Sequence, residues 1–376
     1  MSAVDDTYDW DQVQGADCFK RVTIFQKQDS RREPPTRVRH RLRQVLSAID
    51  PGVVLVPGWA ETEALTALQW CGERQVPAII MSESNEWDEH RVGWREWIKK
   101  RIVARASAVL VGGHPHANYL LSLDISTDRI FLGYDVVDNE YFYNGASKIR
   151  NQTTELRAKF RLPERYFLAS ARFVQKKNLL RLIEGYVRYR ELVKAESGPW
   201  NLVILGEGPL RPILRAQLST LNLHDSVLLL GFKQYAELPL YYGLASAFIH
   251  ASTTEQWGLV VNEAMASGLP VLVSNRCGCA QDLVKEGFNG FTFDPFNVEE
   301  LANLMFRLSH STGASARMPS ANLHIMGQAS RSVIFEWGPR RFAAGLQASV
   351  DMALASPQPR ASLLDKLLLR LLLMHS

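Results

Sequence analysis

Short apolar runs alternate with helical patterns along the whole chain. In the first half the runs are RVTIF (21–25), GVVLVP (52–57), PAIIMS (77–82), AVLVGG (108–113) and RIFLG (129–133). In the second half they are YFLASAR (166–172), NLVILGEG (201–208), SVLLLGF (226–232), AFIHAS (247–252), LPVLVSN (269–275) and GFTFDP (290–295). Strands that are apolar throughout are buried on both faces, and helices between them supply the crossovers that parallel pairing needs. The pattern therefore predicts an α/β chain built from doubly wound parallel sheets. Asn178 reads as the N-cap of a helix carrying Leu179, Leu182, Ile183, Tyr186 and Val187 on one face. A second helix is predicted over about 257–267, closed by Gly268-Leu269-Pro270 ahead of its strand.

The stretch 143–163 is polar and follows a full set of alternating elements, so the division between two domains is expected there. This gives a first domain over 1–155 and a second over 156–335. A helix over 336–355 is expected to return to the first domain, ahead of a proline-containing linker and leucine-rich tail over 356–376. With 376 residues, 46% hydrophobic and 22% charged, the chain has enough apolar mass for two cores. Its first 30 residues are acidic and polar without an apolar h-region, and no apolar stretch reaches spanning length, so a cytoplasmic location is expected. Cys18, Cys71, Cys277 and Cys279 are too few for a disulfide framework, and Cys277-Gly278-Cys279 lacks the second pair of a zinc site; no metal is expected. Net charge is only +4, so bulk charge does not call for a nucleic-acid partner, although residues 31–43 hold six arginines against one acid, Glu33.

In doubly wound sheets ligands bind at the carboxyl ends of the strands. There the segment TTEQWGLVVNEAMASG places Glu255 before the predicted helix and Glu263 in its second turn, with Gly258 between them. The amino end of a helix offers unpaired N–H groups and a partial positive charge, which makes an anion site at Gly258, Leu259 and Val260. Eight helical positions would span about 12 Å, enough for two carboxylates to reach hydroxyls on either side of a bound diphosphate. Arg172 and Lys177, five residues apart after the first strand of the second half, can neutralise such a diphosphate and the charge that grows as it leaves. Gly206 and Gly208 flank Glu207 in a tight turn, and Phe232 sits in a further strand-end loop.

Taken in order, ARFVQKKN, GEGPLR, GFKQYAELP, EQWGLVVNE, AMASGLPVLVSN and GFNGFTFDP resemble the family 4 glycosyltransferases, well over about 105–350 and loosely before. The resemblance implies the GT-B fold, two Rossmann-like domains facing a cleft, and transfer from a nucleoside-diphosphate-sugar co-substrate with retention of anomeric configuration and generally without a metal or other cofactor. It implies that Arg172 and Lys177 bind the diphosphate, that the N–H groups near Gly258 and Leu259 cap its distal phosphate, and that Glu255 holds hydroxyls of the transferred sugar. Glu263 would bind the ribose, and Phe232 with its neighbours would line the base pocket. In the loop similar to the family's Gly-Gly-x-x-Glu element this chain carries Cys277-Gly278-Cys279-Ala280-Gln281-Asp282.

In the first half, PAIIMSES resembles the strand whose end often bears a His-Asp pair beside the reacting sugar; Glu83 and Ser84 stand there. Glu83 is a candidate for accepting a proton or a hydroxyl, with a structural ion pair as the alternative. His114 and His116 end the next strand, where they either face the cleft or, with no paired carboxylate evident, read as surface histidines. The family usually opens with an apolar strand and a Gly-rich loop, and residues 1–20 match neither, so the first domain is expected to lack its first βα units. The basic helices over 36–49 and 87–105, the latter with Trp87, Trp94 and Trp97, suit either one-sided core packing or an anionic membrane surface. The tail LLDKLLLRLLLMHS is too apolar to stand alone in water and is expected to anchor peripherally or to dock on the first domain. The expected partners are a nucleotide-sugar and a glycan or lipid-linked acceptor. The alternative is a catalytically impaired nucleotide-sugar-binding protein with an incomplete acceptor domain.

Overall fold

The computed structural model describes residues 19–25, 33–193, 198–310, 323–356, 359 and 362–375. The first unit runs α1 (Pro35–Ile49), β1 (Val54–Pro57), α2 (Thr62–Arg74), β2 (Ala78–Ser82), α3 (Gly93–Val103), β3 (Ala108–Val111), α4 (His114–Ser122), β4 (Ile130–Leu132). These four strands pair in parallel in the order β1-β2-β3-β4. After α5 (Asn139–Arg150) and α6 (Thr153–Phe160) come β5 (Tyr166–Ser170), α7 (Leu179–Leu192), β6 (Asn201–Leu205), α8 (Arg211–Thr220), β7 (Val227–Gly231), α9 (Leu238–Leu244), β8 (Ala247–His250), α10 (Leu259–Ala266), β9 (Val271–Ser274), α11 (Ala280–Leu283) and β10 (Gly290–Phe293). Strands β5 to β10 form one parallel sheet in the order β10-β9-β8-β5-β6-β7. The chain finishes with α12 (Val298–Ser309), α13 (Leu323–Phe335), α14 (Pro339–Ala355) and α15 (Leu363–His375).

Apolar residues on both faces of each strand explain the layering. In the second sheet Leu168, Val203 and Phe248 pack on one side with α9 and α10, while Phe167, Leu202 and Ile249 pack on the other with α7 and α12. In the first sheet Ile80, Val109 and Val111 pack toward α2, whereas Ile79, Ala108 and Leu110 meet α14, which crosses back from the second unit with Phe342, Leu346 and Val350. Switching at the point where β5 lies between β8 and β6 opens the crevice typical of such sheets at their carboxyl edge.

Several expectations are corrected. RVTIF is not a strand: Arg21 to Phe25 have no ladder partner and Val22 is exposed, because a short apolar run becomes a strand only when a sheet covers it. The stretch 143–163 is mostly helix, and α5 already packs on the second unit, with Phe142 and Ala146 buried, Phe142 in the same core as Tyr242. The crossing between units thus lies before α5, not near residue 155. Asn178 stands at the N-cap position of α7 as expected, but in the left-handed region (φ 57°) and without a side-chain capping bond; its Nδ2 donates instead to the carbonyls of Ala251 (3.1 Å) and Pro295 (2.8 Å), tying three loops together. The helix expected from 257 begins at Leu259, with Gly258 as its N-cap (φ 102°).

The leucine-rich tail is α15, docked on the first unit through Leu369 and Leu373 while Leu363, Leu367 and Met374 face outward. Helix α1 packs through Leu42 and Leu46; Arg39 donates to the Leu373 carbonyl of α15 and Arg43 pairs with Glu73 of α2, while Arg37 and Arg41 are exposed. Arg31, Arg32, Cys18 and the expected missing first units of 1–18 lie outside the described residues. Among the described residues no helix is long and apolar enough to cross a membrane.

Candidate functional site

A cavity of about 700 Å³ opens at the carboxyl edge of the second sheet, facing the first unit. Its wall includes Arg172, Lys177, Gly206, Glu207, Phe232, Glu255, Gly258, Leu259, Val260 and Glu263, and Glu83 reaches it from the end of β2. Every candidate residue of the sequence is therefore on one surface.

Local backbone geometry explains how. The loop after β6 folds onto the loop after β5: Phe173 N donates to the Glu207 carbonyl (2.7 Å) and Ala171 N to Leu205 (3.1 Å). Gly206 sits in this close approach at φ 127°, where a Cβ would lie 1.9 Å from the Ala171 carbonyl oxygen, so no other residue fits. Thr253 N donates to the Lys176 carbonyl (2.8 Å), which brings the loop after β8 to the loop after β5 and sets Glu255 against Lys177. The loop following β9 braces the same segment, with Glu255 N donating to Arg276 and Gly278 N to Glu255, both at 3.1 Å. Cys277 and Cys279 are buried in that brace, free and with thiols pushed up by burial.

The two motif carboxylates are held in opposite states. Burial alone would raise the Glu255 pKa, but the hydrogen bond to His250 Nε2 (3.2 Å) and the Lys177 ammonium, with which it forms an ion pair, hold it well below the usual carboxylate range. Ser252 Oγ adds a further donor at 3.2 Å. Glu263 is buried in the first turns of α10, and burial pushes its pKa up to about 7 although the Tyr242 hydroxyl donates to it at 2.7 Å. Glu207 lines the cavity and forms an ion pair with Arg211.

Three contributors were not read from the sequence. Asp135, after β4, lines the cavity beside Glu83, and its only sequence signal is its place at a strand end. His250 orients Glu255 from inside β8. His116 is buried rather than on the surface: Gly113 N donates to its Nδ1 (3.1 Å) and its Nε2 meets the Gln256 carbonyl (2.9 Å), linking the units. Beside it Asp282 pairs with His114, whose ring is exposed. Asn85 Nδ2 donates to Gln256 O (3.1 Å) and Trp87 Nε1 to Arg276 O (2.8 Å), so the first unit grips the backbone around Glu255 directly.

A second cavity of about 580 Å³ lies on the other side of Glu255 and Lys176, with Trp59, Trp94, Ile98 and Leu372 on its wall. Among the described residues no three His, Cys, Asp or Glu side chains gather as metal ligands.

Residues 152–323 match the family of glycosyl transferases group 1. Over 125 residues, 33% of this chain, the sequence is 35% identical to the alpha-monoglucosyldiacylglycerol synthase of Acholeplasma laidlawii; that stretch is 30% of the relative's length, so the chain spans less than a third of it. Solved structures share the architecture: a glycosyltransferase from Rickettsia africae superposes with a TM-score of 0.70 at 15% identity, covering 88% of this chain and 85% of that one. Anabaena HepE, crystallised with UDP, superposes with a TM-score of 0.67 at 17% identity, covering 84% and 82%. The fold is that of the GT-B glycosyltransferases.

Proposed function

We propose that this chain transfers a hexose-type sugar from a nucleoside diphosphate donor to a glycan or lipid-linked acceptor, with retention of configuration and without a metal ion. The observation that carries the reading is the convergence of Arg172, Lys177, the amino end of α10 and the Glu255/Glu263 pair on one cavity between the units. The N–H groups that open α10 take the distal phosphate, and the two cations neutralise charge as the diphosphate departs. Lys177 and Glu255 keep each other oriented before the donor arrives; on binding, the ammonium turns to phosphate and the carboxylate to sugar hydroxyls. Glu263 takes the ribose. The UDP bound in HepE, and the family match over the donor-side unit, support this part.

The second cavity suits the acceptor, since it adjoins Glu255 and is walled by tryptophan and aliphatic side chains. A lipid-linked acceptor accords with the diacylglycerol product named for the Acholeplasma relative. We extend the proposal to a peripheral position on the cytoplasmic side of an anionic membrane: α15, with Leu363, Leu367 and Met374 outward, packs on α3, which carries exposed Trp94 and Trp97, and Arg39 of α1 reaches its Leu373 carbonyl.

The test is a thermal-shift panel of UDP, GDP and ADP with their hexose esters, followed by mass spectrometry of products formed from the best donor. One nucleoside diphosphate is expected to raise Tm, and its sugar ester to be turned over with a candidate acceptor. Failure of every nucleotide to bind would overturn the reading. Binding without turnover would favour the impaired binding protein.

A further inference from the structure

The first unit's wall carries two acids that the donor chemistry above leaves unexplained. Glu83, from the end of β2, and Asp135, from the end of β4, line the same wall of the cavity, and each bears on the other's protonation. Two neighbouring carboxyls can share a hydrogen bond only when one holds a proton. Asp135 is 4% exposed, and its Oδ2 accepts from no donor among the described residues, an arrangement costly for an ionised acid. The position is built for it: Asp135 Oδ2 occupies the place of a missing Cβ at Gly112, only 2.2 Å away, so any larger residue there would expel it.

We propose that Asp135 is a positioning residue that keeps its proton and donates it as a hydrogen bond to Glu83, leaving Glu83 as a single fixed acceptor for a hydroxyl of the transferred sugar, opposite Glu255. The inference rests on the reading of the cavity as a nucleotide-sugar site and deepens it by naming the sugar class. A wall with ionised Glu255 on one side and one shared negative charge on the other accepts neutral polyols and repels a sugar that bears its own carboxylate. Donors with an uncharged hexose are therefore preferred to hexuronic ones.

The charges around the pair agree. Burial raises both acids; for Asp135 the neighbouring Glu83 raises it further, and for Glu83 the charge of Glu255 adds to the effect while Asp135 and Lys176 oppose it. Tyr134 beside them stays neutral, its pKa raised by burial. His116, packed against Gly112, is held neutral because burial lowers its pKa. Raising the pH thus ends in a second ionisation of the pair, which breaks the bond between the two carboxyls and doubles the negative charge facing the sugar.

The experiment measures, by calorimetry, the affinity of whichever of UDP, GDP or ADP binds best and of its neutral-hexose and glucuronic acid esters, for wild type, Glu83→Gln, Asp135→Ala and Asp135→Asn, with Tm recorded for each. Free nucleotide affinity is expected to stay within about twofold in all four proteins. The added affinity contributed by the neutral sugar should fall about tenfold in Glu83→Gln and Asp135→Ala, which corresponds to one hydrogen bond to a charged group. Asp135→Asn, which can still donate, should retain it and should lose the alkaline decline of wild type. A glucuronic acid ester that binds wild type as well as the neutral esters, an Asp135→Asn variant as impaired as Asp135→Ala, or equal losses for free nucleotide and sugar ester would overturn the proposal. Absence of any nucleotide binding would instead remove the reading beneath it.

Discussion

The two walls of the cleft handle charge in different ways. On the second unit, charges come as opposed partners: Lys177 with Glu255 and Arg211 with Glu207. On the first unit, two acids meet each other, with no cation bonded to either among the hydrogen bonds and ion pairs described. A wall of oriented ion pairs and helix N–H groups suits a group whose negative charge grows during reaction. A wall with a shared proton suits a neutral, hydroxyl-rich group. The difference teaches that the cavity is divided by charge; in the proposed reaction the departing diphosphate lies on one side and the sugar's outer edge on the other.

The largest expected effect breaks the cationic wall. Replacing Arg172 and Lys177 together by Ala is expected to lower transfer by on the order of 10²- to 10³-fold, with no recovery on adding magnesium, measured by steady-state product formation. Full activity of the double variant, or a strict divalent-ion requirement in wild type, would remove the proposed division of labour.

The next effect separates the two motif acids through stability. Glu263 ionises near 4.5 when unfolded and at about 7 in the fold. Between those values the folded state binds more protons than the unfolded state, so its contribution is full below pH 4.5 and is lost as pH rises to about 7. Glu255 works in the opposite sense, since its lowered pKa makes its contribution present above the unfolded value and lost in acid. Denaturant melts from pH 4.5 to 7 should show Glu263→Gln losing a downward slope worth about 3 kcal/mol relative to wild type. Parallel curves for the two proteins would mean that Glu263 titrates as an ordinary surface acid.

How far these features could be read beforehand follows from where each signal resides. Strands β5 to β10 were legible because each is a short continuous apolar run, and the donor-side residues because glycines and charges recur at fixed offsets in single loops. RVTIF misled because strand formation is decided by a covering sheet, which local sequence does not encode. The helical stretch over 143–163 was read as the division between two domains because its few apolar residues, among them Ala146, lie in a polar run, and the helices α5 packs on, α9 and α10, are far along the chain. Asp135 was missed for a related reason: its significance depends on Gly112 and Glu83, from two other loops. His116 looks like a surface residue until the second unit covers it.

The smallest expected effect concerns the outer side of the first unit. Replacing Leu363, Leu367 and Met374 by Ser should leave Tm and nucleotide affinity unchanged, because these side chains lie on the exposed face of α15. Cosedimentation with vesicles containing phosphatidylglycerol should weaken roughly fivefold. Unaltered vesicle binding would leave the cationic helices as the sole membrane contact.

The return of α14 to the first sheet has a consequence during synthesis. Ile79, Ala108 and Leu110 leave the ribosome early, but the helix that covers them ends only at Ala355. At cellular elongation rates the interval is roughly 10 to 50 seconds. Through it, one apolar face of a nascent sheet stands open while the second unit is still being translated, which makes this face the natural place for a holding chaperone.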